Sequence, residues 1–137
     1  MSDVTIPKDY IQIVVCGAHL SGMALNPQLT DRGGVLVSAT ESAPIYRFYA
    51  LAGGPPFRPG MVRVHSDGVS IPVEVWALPP AGFGDFINHI PSPLGIGKVT
   101  LVDGTLISGF ICEPFALDDA KDISDVGGWR NYVAILR

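Results

Sequence analysis

The residues best suited to chemistry are grouped early in the chain, in Cys16-Gly17-Ala18-His19-Leu20. This stretch follows an apolar, β-branched run, Ile11 to Val15, and precedes a small-residue loop, Ser21 to Asn26. A buried strand that ends in a glycine-bearing loop suits a small-molecule pocket. Glycine lets backbone amides come close to a ligand, and consecutive free amides form a nest for an anion. Histidine is the side chain whose ordinary pKa lets it give or take a proton near neutral pH. His19 is therefore either an acid/base group beside an anion cradle or a histidine hydrogen-bonded at a strand end. His65 and His89 read as solvated.

Other chemistry-bearing residues stand alone. Arg47 alternates with Tyr46 and Phe48, as an edge cation or as a two-pronged carboxylate clamp. Glu74 and Glu113 lie in or beside strands, where one could orient His19, pair with Arg63, or form a cross-strand charge pair. Gly95-Ile96-Gly97 precedes a strand rather than a helix, which fits close backbone approach to a pocket better than a dinucleotide site. The chain contains no P-loop, no Gly-x-Ser-x-Gly elbow and no His-Glu-x-x-His. Cys16 and Cys112 sit in apolar runs and read as reduced, buried thiols. The histidines are too far apart for metal-ligand spacing, and Asp118, Asp119, Asp122 and Asp125 lack the glycine and spacing of a calcium loop. Neither a metal nor a cofactor is expected.

The elements that must position these residues are short. Of 137 residues, 47% are apolar and 16% charged, with Gly 16 and Pro 12 distributed as turns between apolar runs. This composition describes one packed domain. The net charge is −4 with only 9 Lys and Arg, unclustered, which argues against a phosphate-backbone binding face. No apolar run approaches the roughly 20 residues of a membrane span, and no secretory signal leads the chain, so the cytoplasm is the expected location.

Residues 1–9 read as a flexible leader and 10–137 as a single domain. Residues 10–16 read as a central strand and 17–32 as loop. Residues 34–41 and 45–51 read as strands, and 52–60 as a rigid Pro/Gly excursion over the surface or a pocket. Residues 61–66 and 69–78 read as a hairpin on Ser66-Asp67-Gly68, with Pro72 marking an edge or bulge. The spacing of Phe83, Phe86, Ile87 and Ile90 predicts an amphipathic helix over 79–90. A second hairpin, 97–102 with 105–112, turns on Asp103-Gly104. A short acidic helix is expected within 114–125 and a terminal helix over 128–136. The expected class is α+β, a curled and mostly antiparallel sheet with two or three short flanking helices.

The chain resembles the C-terminal domain of allophanate hydrolases, within the γ-glutamyl cyclotransferase-like superfamily. The matching segments are CGAHLSGMALNPQL (16–29), YRFYALAGGPPFRPG (46–60), VEVWALP (73–79), IPSPLGIGKV (90–99), DGTLISGFICE (103–113) and DISDVGGWRNY (122–132). The resemblance implies a small β-barrel with a pocket at its mouth, lined by the loop after the first strand. It implies His19 as the catalytic residue, acting as general acid in decarboxylation of N-carboxycarbamate. Gly17, Ala18 and Leu20 then form a backbone cradle, Asn26, Gln28, Tyr46 and Arg47 a polar wall, and Gly95, Ile96 and Gly97 the opposing lip. The expected partners are a small anionic substrate and a separate amidase, with a homodimer left open. No amidase serine or lysine motif is present, and Met1 with its polar leader reads as a free-standing form. A non-catalytic accessory module for an amidase is the alternative. Classical γ-glutamyl cyclotransfer would need a carboxylate at the cradle, from Glu113 or Glu74, because the helix exit at Ile90-Pro91 carries none.

Overall fold

A computed structural model describes residues 5–136; residues 1–4 of the expected leader, and Arg137, lie outside the described residues. Five strands form a mixed sheet in the order β2-β5-β1-β7-β6, and three more form a second sheet in the order β4-β3-β8. These are β1 (Ile11–Val15), β2 (Val35–Glu41), β3 (Tyr46–Ala50), β4 (Pro59–Arg63), β5 (Pro72–Leu78), β6 (Leu94–Thr100), β7 (Leu106–Cys112) and β8 (Lys121–Asp122). Three helices, α1 (Pro27–Thr30), α2 (Pro80–Asn88) and α3 (Trp129–Ile135), flank them.

β1 is central, as its Ile-Val-Val run demands. It pairs antiparallel with β5, Ile11 opposite Leu78, and parallel with β7 at Val14 and Gly109. Ile13, Val14 and Val15 are at most 1% exposed, so β1 enters the core just before the cradle loop. The core continues through Tyr46, Phe48, Met61, Ile71, Leu78 and Ile123, each buried large side chain contributing about 1.5–3 kcal/mol. Period-two alternation in β3 is borne out: Tyr46 and Phe48 face inward while Arg47 is half-buried.

The architecture is α+β with a curled sheet, but the expected closed barrel is not found. The sheet's edge strands β2 and β6 meet only past their ends, at a single bridge between Ser42 and Leu101. There Ala43 N donates to Thr100 O and Val102 N to Glu41 O. The sheet is thus pinned to itself at one point instead of by a full ladder.

Three local expectations need correction. The segments 61–66 and 69–78 do not form a hairpin: β4 pairs with β3, while β5 lies between β1 and β2. The tight turn is real, with Asp67 at φ 61. However, six consecutive buried residues in β5 require cover on both faces, which only a central position supplies. Pro72 accordingly sits at the first residue of β5, where its missing donor is tolerated, and the bulge falls in β2 between Leu36 and Ser38. Residues 114–125 hold a short 3-10 turn, Pro114–Leu117, and then β8 instead of an acidic helix. Asp122 is drawn out of any helix by Arg47 and by the Ser124 amide, each 2.9 Å from its carboxylate. The loop 17–32 contains the one-turn helix α1.

Candidate functional site

The loop leaving β1 is held in shape from both sides. Asn26 Nδ2 donates to His19 O at 2.9 Å, and Leu25 N donates to Ala18 O at 2.8 Å. Gly17 lies against the ring of Pro59, which a Cβ at that position would strike. From below, Glu74 anchors Ser21. Its Oε1 accepts Ser21 N at 2.8 Å, Ser21 Oγ at 3.0 Å and Trp76 Nε1 at 3.0 Å. Its Oε2 accepts Arg130 Nη2 at 3.0 Å, and the same Nη2 donates to Ser21 O at 2.7 Å. Burial pushes the Glu74 pKa up, but the donors from Trp76, Ser21 and Arg130 outweigh it and hold the group below its ordinary value. Glu74 therefore pairs with Arg130 of α3, not with Arg63 or His19.

His19 is 8% exposed. Its ring stacks on Phe110 at a centroid distance of 5.1 Å and meets Phe86 edge-on at 5.0 Å. Nε2 lies 2.8 Å from Gln28 Oε1, so the ring donates there as the Nε2–H tautomer. Its pKa is lowered from the ordinary 6.5, first by burial, with the charges of Arg58 and Arg32 acting the same way against the Gln28 hydrogen bond. Among the described residues, the amides of Gly17, Ala18 and His19 make no hydrogen bond. Three adjacent buried amides without acceptors are unusual in a folded chain and favour an anion.

The loop lines a recess of about 20 Å³ together with Arg58, Pro59, Leu94 and Phe110. This is room for about one water-sized group. The recess continues into a cleft of about 310 Å³ that shares His19, Arg58, Leu94 and Phe110 and adds Leu25, Gln28, Phe86 and Ile90. Among the described residues, no aspartate or glutamate lines either space. Arg58 is half-buried and has no ion pair or side-chain hydrogen bond among the described residues. It is the cation of the site, and sequence reasoning missed it. A signal was present: Arg58 stands in a Pro/Gly-rich arm with no acidic residue between Glu41 and Asp67 to pair with it.

The other expected wall residues lie elsewhere. Arg47 donates to Asp122 Oδ2 and to Asp67 O, each at 2.9 Å, and does not line the cleft. Tyr46 is 1% exposed and its hydroxyl accepts Thr100 N, a core role. Leu20 is buried and its amide donates to Gly17 O, so it offers the cradle no donor. Asn26 supports the loop from behind. Gly95, Ile96 and Gly97 lie in β6 beside β7, outside the lining of both spaces, whereas the preceding residue Leu94 lines both. Glu113 is exposed and does not line the cleft. His89, as expected, is largely solvated, at the cleft rim. Cys16 and Cys112 are buried free thiols, and burial, with Cys112 nearby, pushes the Cys16 pKa up to about 12. Among the described residues, no cluster of three potential metal ligands occurs and no helix is long and apolar enough to cross a membrane.

Comparison with known proteins gives this geometry a family. The model of the allophanate hydrolase C-terminal domain matches residues 11–134. A urea amidolyase of Lachancea kluyveri is 37% identical over 135 residues, covering 96% of this chain and 7% of that protein. An allophanate hydrolase structure from Kluyveromyces lactis superposes with a TM-score of 0.90 at 36% identity, covering 96% of this chain and 23% of that one. A uropathogenic E. coli-specific protein superposes with a TM-score of 0.84 at 31% identity, covering 91% of this chain and 96% of that one. The chain thus spans a small part, 7%, of the curated urea amidolyases it matches. It belongs to the allophanate hydrolase C-terminal domain family.

Proposed function

We propose that this chain decarboxylates N-carboxycarbamate or a related small N-carboxylated amide, in nitrogen metabolism of the urea and allophanate type. The observation that carries this reading is a recess lined by a guanidinium, three amides and an imidazole, where, among the described residues, the guanidinium has no ion pair, the amides have no acceptor and no carboxylate joins the lining. Arg58 and the Gly17–His19 amides hold the departing carboxylate. Its C–N bond breaks, carbon dioxide leaves, and the electron pair stays on nitrogen, delocalised into the remaining carbonyl. His19 supplies the proton that nitrogen takes up, acting as general acid. Burial keeps the free imidazole neutral near pH 7, but a bound anion raises its pKa and loads it with the proton it must give. A carboxylate-based cyclotransfer has no base here: Glu74 is fully engaged with Ser21, Trp76 and Arg130, and Glu113 lies outside the cleft.

The test is release of carbon dioxide from allophanate in the presence of an amidase that generates the N-carboxylated product in solution. Wild-type protein should accelerate release, and His19→Ala and Arg58→Ala should lower it to the amidase-only rate. Equal rates with and without the wild-type chain would refute the activity.

An accessory module for a separate amidase is the second reading. It is favoured by exposed Phe57 and Leu136, 53% exposed each, which share a groove of about 460 Å³ with Trp129 and Tyr132. It predicts that Phe57→Ser weakens association with a purified amidase without disturbing anion binding at His19.

A further inference from the structure

We infer that Gln28 is a positioning residue for His19: it holds the imidazole proton on Nε2 and leaves Nδ1 as the nitrogen that takes up the second one. The inference rests on the proposed role of His19 as general acid and names the atom that performs it. Gln28 Oε1 can only accept, so at 2.8 Å the Nε2 of His19 donates to it. Nδ1 then carries a lone pair, because the bond made by one ring nitrogen decides what the other holds. Among the described residues Nδ1 has no hydrogen-bond partner, yet no buried side-chain nitrogen lacks one. Nδ1 is therefore open to the space that His19 lines.

Three elements fix the ring. Phe110 of β7 stacks on it, Phe86 of α2 meets it edge-on, and Gln28 of α1 accepts the hydrogen at its tip. Gln28 is itself held. Its carbonyl accepts Arg32 Nη1 at 3.0 Å, and Arg32 Nε donates to Asp85 of α2 at 2.9 Å. That ties α1 to the helix that supplies Phe86. Turning the ring over would exchange Nε2 for a carbon and lose the Gln28 bond. The surrounding charge favours the same tautomer. Arg58 comes from the arm before β4, Arg32 follows α1 and His89 follows α2, and among the described residues no carboxylate lines the site. With the free amides of Gly17, Ala18 and His19, the cations and donors outnumber acceptors. A lone pair on Nδ1 suits that setting, whereas an N–H there would be a donor among donors. A carboxylate arriving beside the ring draws a second proton onto it. That proton enters at Nδ1, because Nε2 already carries one. From Nδ1 it passes to the nitrogen that carbon dioxide leaves, and the Nε2–H stays on Gln28 throughout.

The experiment reads both ring nitrogens of His19 by nitrogen NMR on histidine-labelled protein without ligand, first above the pH at which the ring titrates and then through it. His19→Gln identifies the His19 signals among the three histidines. Wild type should show a protonated Nε2 and a bare Nδ1, and acidification should place the second proton on Nδ1. Gln28→Leu should shift the tautomer ratio toward Nδ1–H by about two- to tenfold, the worth of one hydrogen bond. Gln28→Glu keeps an acceptor at the ring, so it should keep the wild-type tautomer and raise the pH at which His19 titrates. A Gln28 that only packed α1 would leave the ratio alike in all three proteins, and that result would overturn the inference. So would a wild-type ring protonated at Nδ1, a reading that needs no variant. Because the tautomer is read without ligand, carbon dioxide release unaffected by His19→Ala would refute the general-acid reading separately.

Discussion

Replacing Glu74 by alanine should unhinge the loop that carries His19. Glu74 is 5% exposed and is the acceptor for four hydrogen bonds from three separate segments. Removing the carboxylate strands the Ser21 amide and the indole N–H of Trp76, itself 5% exposed. Each buried donor left without a partner costs about 1–3 kcal/mol. Arg130 contributes less, because its side chain is 48% exposed and can turn to water. The expected loss is therefore about 4 kcal/mol, a large share of the roughly 5–15 kcal/mol that holds a domain together. In urea unfolding the midpoint should fall with an unchanged slope, and Tm should drop by roughly 10–20 °C. Arg130→Ala alone should cost about 1–2 kcal/mol, since the Ser21 and Trp76 donors keep their acceptor. The pH dependence carries a sign of its own. Because the folded chain holds Glu74 below its ordinary pKa of 4.5, its stabilisation is complete above that value and is lost as pH falls through the lower, folded one. If Glu74→Ala changed stability by less than 1 kcal/mol, the network would not be what holds the loop, and this reasoning would be wrong.

Further outcomes follow from other sites. Arg58→Ala should weaken carboxylate binding about 10- to 100-fold, the worth of a charge-assisted pair. By contrast, Arg47→Ala should leave binding unchanged and cost only about 0.2–1 kcal/mol of stability, because its partner Asp122 is 41% exposed; calorimetry and urea unfolding separate the two. His19 is held below its ordinary pKa of 6.5, so the unfolded chain binds that proton first. Stability should therefore decline as pH falls below about 6.5, and His19→Gln should flatten that limb of the pH–stability profile. Gly17→Ala should destabilise the cradle by driving a methyl into Pro59, read as a lower Tm together with lost anion binding. Cys16, with its thiol pKa pushed up to about 12, should resist a thiol-specific reagent at pH 8 until the protein unfolds.

What was legible in the chain was what short-range physics decides. The β6–β7 hairpin follows from Asp103-Gly104, where Thr105 N donates to Asp103 Oδ1 at 2.9 Å, a contact two residues long. Helix α2 follows from the spacing of Phe83, Phe86 and Ile87, and Phe86 is its buried residue, though the helix ends at Asn88, short of Ile90. The cradle loop and His19 were visible because a β-branched run stops at glycine. The sheet partners were not visible, because the turn at Asp67 is compatible with a hairpin or a crossover, and burial on both faces of β5 decides between them. Arg47 and Arg58 could not be told apart by residue type. What separates them is that Asp122, far along the chain, reaches Arg47, while no acidic residue among the described ones pairs with Arg58. Glu74 read from the chain as orienting His19, pairing with Arg63 or forming a cross-strand charge pair, because its partner Arg130 lies 56 residues on and reaches it only with α3 placed beside the loop.

The central claim is that His19 and Arg58 together form an anion site that loads a proton. The most direct measurement is the titration of the His19 ring by nitrogen NMR on histidine-labelled protein, with and without saturating malonate, in wild type and in Arg58→Ala. His19 should titrate below its ordinary value in the free protein and rise clearly on anion binding, and the rise should require Arg58. A His19 pKa that does not move when the anion is present at saturation would contradict it.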